Sequence, residues 1–293
     1  MLTKMKKTII ILLIIMFTIP IVVYTYYKVA EIETREPEKI EEECKITTQE
    51  FMQRKVFTIT PKNKEKSKTK ILYFHGGSYV AEASQNHWDF LEQIVKDTGI
   101  EVIMPDYPLA PKYTYKDVFQ MVEPLYKEII TKVDTNQLIL MGDSAGGGLA
   151  LALEEKIAQE NLPMPQKTIL ISPWLDVRLT NPEIEEIQKN DKQLNKETLK
   201  LAGIAYSGKD GINSYLVNPI DGDLSNLKNI SILIGTYDIL YPDTKKLEEK
   251  GKKIGTNIEI KEFEQAPHIW MIEKNTTEDL IQKGYQEILN LLK

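Results

Sequence analysis

The chain has 293 residues, enough for one large domain or a domain with an appendage. It is 42% hydrophobic and 27% charged, a globular balance with no tract biased enough to argue for disorder. A net charge of -6 gives no reason to expect nucleic acid as a partner; a single cysteine, Cys44, excludes an intramolecular disulfide; and three scattered histidines argue against a structural metal site.

The N-terminal residues read as a segment apart from the body. Lys4, Lys6 and Lys7 precede an uncharged run over 8–27 that closes on Tyr24, Tyr26 and Tyr27. About 20 apolar residues cross a bilayer as a helix, and tyrosines suit its interface. The exit, Tyr26-Tyr27-Lys28-Val29-Ala30, lacks the small residue three places before a cut that a signal peptide presents. Residues 1–30 are therefore expected to form an uncleaved transmembrane anchor, in preference to a cleaved signal, with the body extracytoplasmic. The acidic, polar residues 31–50 read as a stalk or as a cap segment. Cys44 there is a free surface thiol or a small buried residue, and its context does not suit lipid attachment.

The body is expected over 51–293. Residues 54–61 alternate like a strand, 62–68 form a solvated turn, and 71–74 make the next strand. Strand 100–104 ends at Pro105, and 117–132 is helical, with Val118, Met121, Val122, Leu125 and Ile129 on one face. There follow strand 137–141, a helix from Ser144, and strand 168–171. Strand 231–234, a helix over 244–253, strand 257–263 and a helix over 277–292 complete the chain. Strands separated by helices of this length form a mostly parallel sheet covered on both faces. Residues 176–226 break the alternation: a charged helical stretch over 183–200 and Gly203, Gly208 and Gly211 carry no convincing strand. A connection this long inside a domain is a lid or binding insertion, or else an irregular surface excursion.

The chemistry-bearing motif is Gly142-Asp143-Ser144-Ala145-Gly146. It follows a short apolar run and opens a helix, the strand–turn–helix setting in which Gly-x-Ser-x-Gly presents a nucleophilic serine on a strained corner. A serine hydroxyl needs a general base, and that base needs an orienting group. His268 follows the strand ending at Phe263, and Asp238 follows strand 231–234, in the order Ser, acid, His. All three fall just beyond the carboxyl ends of strands, where such sheets gather their ligands. Asp243, the rival acid, is better placed to cap the next helix. His87 reads as a surface or helix-start residue. His75-Gly76-Gly77-Ser78 follows strand 71–74, so Gly76 and Gly77, with Ala145, are the expected oxyanion donors; His75 braces that loop.

These motifs, with Asp106-Tyr107-Pro108-Leu109-Ala110-Pro111 and Ser172-Pro173-Trp174-Leu175-Asp176, make the chain resemble the hormone-sensitive-lipase-like esterases of the α/β-hydrolase superfamily over roughly residues 70–290. The resemblance implies an α/β-hydrolase fold with a helical cap built from the N-terminal segment and the 176–226 insertion. It also implies a cofactor-free serine carboxylesterase acting on short- to medium-chain acyl esters. The chain departs from the family in Ser78, where many members have a third glycine, in Pro108 for the usual arginine, and in Lys112 for a common acidic residue. Two alternatives stand beside this reading: a deacetylase of a carbohydrate or cell-envelope polymer, and a ligand-binding protein without chemistry on the same fold. Tyr79, Trp88, Tyr107, Trp174, Tyr206 and Trp270 are candidates to line an apolar pocket or to fill the core.

Overall fold

Eight strands pair in the order β1-β2-β4-β3-β5-β6-β7-β8, counted along the chain, as β1 (Cys44–Phe51), β2 (Arg54–Pro61), β3 (Lys70–Phe74), β4 (Glu101–Pro105), β5 (Leu138–Asp143), β6 (Lys167–Ile171), β7 (Ile230–Gly235) and β8 (Ile258–Phe263). Of these strands β2 runs against the others: it pairs antiparallel with β1 on one side and with β4 on the other, and every later pairing is parallel. The protein is described here from a computed structural model that covers Pro37 and residues 43–293.

Because both sheet faces are covered, the central strands carry apolar residues on both faces, and these sort by parity. Leu72, Phe74, Leu138, Leu140 and Leu170 point to one core with α2 (Tyr115–Ile129) and α3 (Ser144–Gln159). Ile71, Tyr73, Ile139, Met141 and Ile169 point to a second core with α1 (Gln85–Thr98). The connection from β6 to β7 carries α4 (Ile184–Ile187) and α5 (Lys196–Ser207); α6 (Tyr241–Ile254), α7 (Trp270–Glu273) and α8 (Glu278–Leu291) complete the layers.

Two expectations are corrected. Residues 44–50, expected within the 31–50 stalk or cap segment, form with Phe51 the edge strand β1, in register with β2 from Cys44 opposite Pro61 to Phe51 opposite Arg54. Polar residues dominate because this outermost strand is largely exposed, while Cys44 itself is buried. Among the described residues no helix is long and apolar enough to cross a membrane. The transmembrane helix expected over 1–30 lies outside the described residues, so neither it nor the membrane-anchored location drawn from it is retained.

Helix α1 was not anticipated, although Trp88, Leu91 and Val95 recur at helical spacing. Its start is closed by Ser84 and the side chain of His87 in a reciprocal cap.

Candidate active site

Helix α3 begins without an intervening loop after β5, and Ser144 takes the turn with φ 51°. A side chain rarely adopts this conformation, and the packing around it has to hold it. The packing is close: a Cβ at residue 146 would stand 2.0 Å from the carbonyl oxygen of Phe74, so only glycine lets α3 lie against the end of β3. The Ser144 carbonyl accepts the N–H of Trp174 at 2.8 Å.

The Ser144 hydroxyl donates to His268 Nε2 at 2.9 Å, and His268 Nδ1–H donates to Asp238 Oδ2 at 2.7 Å. All three side chains are buried. Asp238 Oδ1 accepts the N–H of Leu240, which fixes the carboxylate. The loops carrying acid and imidazole are tied together: Thr236 N–H donates to Phe263 O, and Tyr237 N–H to Ala266 O. Ile269, with φ 39°, donates its N–H to Ser172 Oγ, which holds the loop just past the imidazole. Burial disfavours a charged imidazole, but the Asp238 carboxylate, with Asp191 and Asp143 farther out, outweighs it and raises His268 above its ordinary value. Asp243, the rival acid, bonds Asn181 instead.

The glycine loop departs from expectation at one atom. The N–H of Gly76 donates to Asp143 Oδ1 at 2.9 Å, so it is spent inside the protein and does not face a substrate oxygen. The physical reason is the fit: Asp143 points back from the elbow so closely that a Cβ on residue 76 would stand 2.2 Å from its Oδ2. The N–H groups of Gly77 and Ala145 have no acceptor among the described residues. That of Ala145 lies in the first turn of α3, where helix geometry leaves amides free.

Asp143 is the organiser that sequence reasoning passed over. Its carboxylate also accepts from Tyr73 Oη at 2.5 Å and from His87 Nε2 at 3.2 Å. Burial works against its charge, but these donors more than compensate and hold its carboxyl below the usual range. His87, expected at the surface or a helix start, is at a helix start and buried. Its Nδ1 accepts the Ser84 N–H, which leaves Nε2–H for Asp143. Asp143 was within the motif, but nothing local signals a partner 56 residues away.

His75 is fully buried, stacks on Tyr107 at 4.4 Å, and donates from Nδ1 to Gly76 O at 2.6 Å. Burial lowers its pKa to about 4, so it is a neutral brace at physiological pH. The six candidate aromatics divide by face. Trp88 packs edge-on to Phe57 and Trp270 on Phe263, both in the core behind the sheet. Tyr79, directly after the glycine loop, stacks on Tyr206 of α5 at 3.6 Å with Trp174 beside it.

A family model for the α/β hydrolase fold matches residues 71–272. An esterase of Acinetobacter venetianus is 31% identical over 194 residues, covering 65% of this chain and 64% of that protein, a little under two thirds of its length. An acetyl-hydrolase of Streptomyces hygroscopicus is 26% identical, covering 68% of this chain and 67% of its own. A crystal structure of an esterase from the bacterial hormone-sensitive lipase family superposes with a TM-score of 0.79 at 24% identity, covering 87% of this chain and 84% of the other. With the matched segment running from β3 past His268, the chain belongs to the α/β-hydrolase fold family.

Proposed function

We propose that this chain is a serine ester hydrolase acting on short- to medium-chain acyl esters. The observation that carries the reading is the continuous hydrogen-bond path from Ser144 Oγ through both imidazole nitrogens of His268 to Asp238. His268 Nε2 takes the Ser144 proton as Oγ attacks the ester carbonyl carbon, and Asp238 stabilises the imidazolium that forms. The carbonyl oxygen gains negative charge, which the N–H groups of Gly77 and Ala145 receive; one such donor is worth about 3 kcal/mol in the transition state. The imidazolium then protonates the departing alcohol, leaving an acyl-Ser144 ester. Water repeats the sequence with His268 as base, releasing the acid and restoring the hydroxyl. Each step uses protein groups and water alone.

The 176–226 insertion acts as the cap. Its Tyr206 stacks on Tyr79 after the glycine loop, and its Asp191 bonds the loop after β7. Both contacts support a cap over the carboxyl edge of the sheet, where Ser144 and His268 meet. The name of the Streptomyces relative, an acetyl-hydrolase, is consistent with a small acyl group.

The test is hydrolysis of p-nitrophenyl acetate, butyrate and decanoate by the purified protein beside Ser144→Ala. The expected result is activity strongest on the shorter esters and lost in the variant, with a fluorophosphonate labelling Ser144 only in the parent. Equal hydrolysis by the two proteins would overturn the reading.

A further inference from the structure

The insertion between β6 and β7 sends one carboxylate to the acid loop. Asp191, between α4 and α5, is only 6% exposed. Its Oδ1 accepts the N–H groups of Gln193 at 2.9 Å and Leu194 at 2.8 Å, closing a local turn that fixes its side chain. Its other oxygen, Oδ2, accepts the N–H of Ile239 at 3.0 Å, 48 residues along the chain. Ile239 directly follows Asp238.

The residue type suits that double task. A carboxylate accepts at both oxygens, so it closes its own turn and still captures a distant amide. An asparagine can do one or the other, because its NH2 group would face an N–H donor at the second place. The bond to Ile239 sits one residue from the Asp238 side chain, whose other oxygen is held by Leu240 N–H within the same loop. From these contacts we infer that Asp191 is a positioning residue for the Asp238–His268 pair, setting through the Ile239 N–H where the acid loop presents its carboxylate.

Charge acts in the same direction as geometry. The carboxylates facing His268 are Asp238 on the acid loop, Asp191 on the insertion and Asp143 at the end of β5, and each favours the imidazolium. Asp191 itself meets opposing influences: burial and Asp238 raise its pKa, its three N–H donors lower it, and the balance is raised. Its loss therefore removes both an anchor and a negative charge from the surroundings of His268.

The inference rests on the esterase reading only for its kinetic part, and the experiment separates the two. The titration of His268 is followed by NMR of the histidine-labelled protein, its resonance identified by its loss in His268→Gln. Spectra are recorded for the parent, Asp191→Asn and Asp191→Ser; the serine hydroxyl can close the same turn should the asparagine variant not fold. The expected result is a lower His268 titration midpoint in either variant. The acid limb of the kcat/KM profile moves the same way, and kcat falls about tenfold with KM nearly unchanged, below the hundredfold that a 1 Å misplacement costs. A folded variant with its His268 midpoint unmoved and kcat within about twofold of the parent overturns the inference. A role limited to bracing the insertion would lower thermal stability and leave that midpoint in place. Should the protein hydrolyse no ester, the midpoint alone decides, so the failure of the esterase reading does not decide this one.

Discussion

The carboxylate of Asp143 accepts the N–H of Gly76 at 2.9 Å, so the residue immediately before Ser144 holds the loop that runs beside it. Elbow and glycine loop are thereby one unit, closed further by Tyr73 and His87 on the same carboxylate. The space for this contact exists only without a side chain at 76, where a Cβ would stand 2.2 Å from Asp143 Oδ2. Gly76→Ala is expected to shift the loop and lower kcat by about 10²–10³, the scale of a lost oxyanion donor. Gly255→Ala is the control: nothing lies within 4 Å of its Cβ, so only the left-handed φ of 79° is strained. Activity of the Gly76 variant equal to that control would show that the loop tolerates displacement.

Asp238→Asn keeps the volume of the side chain but presents an amide to His268 Nδ1, now bonded at 2.7 Å. The imidazole then favours the tautomer with its proton on Nε2, facing Ser144, and cannot act as base. A loss of about 10⁴ in kcat with little change in KM is expected, measured on p-nitrophenyl butyrate. A loss below about tenfold would point to a different acid, with Asp243→Asn as the direct comparison.

The pH profile follows from the His268 environment. Burial opposes its charge, but Asp238 and the more distant carboxylates prevail and its pKa stands above the ordinary 6.5. The base must be neutral, so kcat/KM falls as pH drops through that raised value, and the acid limb is expected above 6.5. An acid limb below 6.5 would mean that burial outweighs the carboxylates. His75, lowered to about 4, contributes nothing to this limb at neutral pH.

A separate prediction concerns stability. Glu154 on α3 is 1% exposed, and burial raises its pKa from 4.5 to about 8. A folded-state pKa above the unfolded one gives stability that is complete below 4.5 and lost as pH rises through about 8. Glu154→Gln should therefore raise Tm increasingly between pH 5 and 9, at about 2–4 °C per kcal/mol for a domain of this size. Thermal unfolding across that range checks it. A Tm difference independent of pH would remove Glu154 as the cause.

The alternation of strands and helices, the elbow at Ser144, and the order of Asp238 and His268 after it are legible along the chain. Those features are written in local pattern: apolar runs of strand length, helical spacing, and glycines flanking a serine. The sheet places the three side chains together because parallel strands end at one edge, a consequence already implicit in the alternation. The remaining features arise from packing between distant segments. The edge strand β1 is polar because it lies at the margin of the sheet, and so it carried no core pattern to read. The donation of Gly76 to Asp143, the meeting of His87 with Asp143, and the reach of Asp191 to Ile239 join residues 48 to 67 positions apart. Such pairs depend on how strands are ordered across the sheet and how the insertion folds back over its edge. Neither periodicity nor composition encodes that arrangement, because each reports only which face of its own segment a residue occupies.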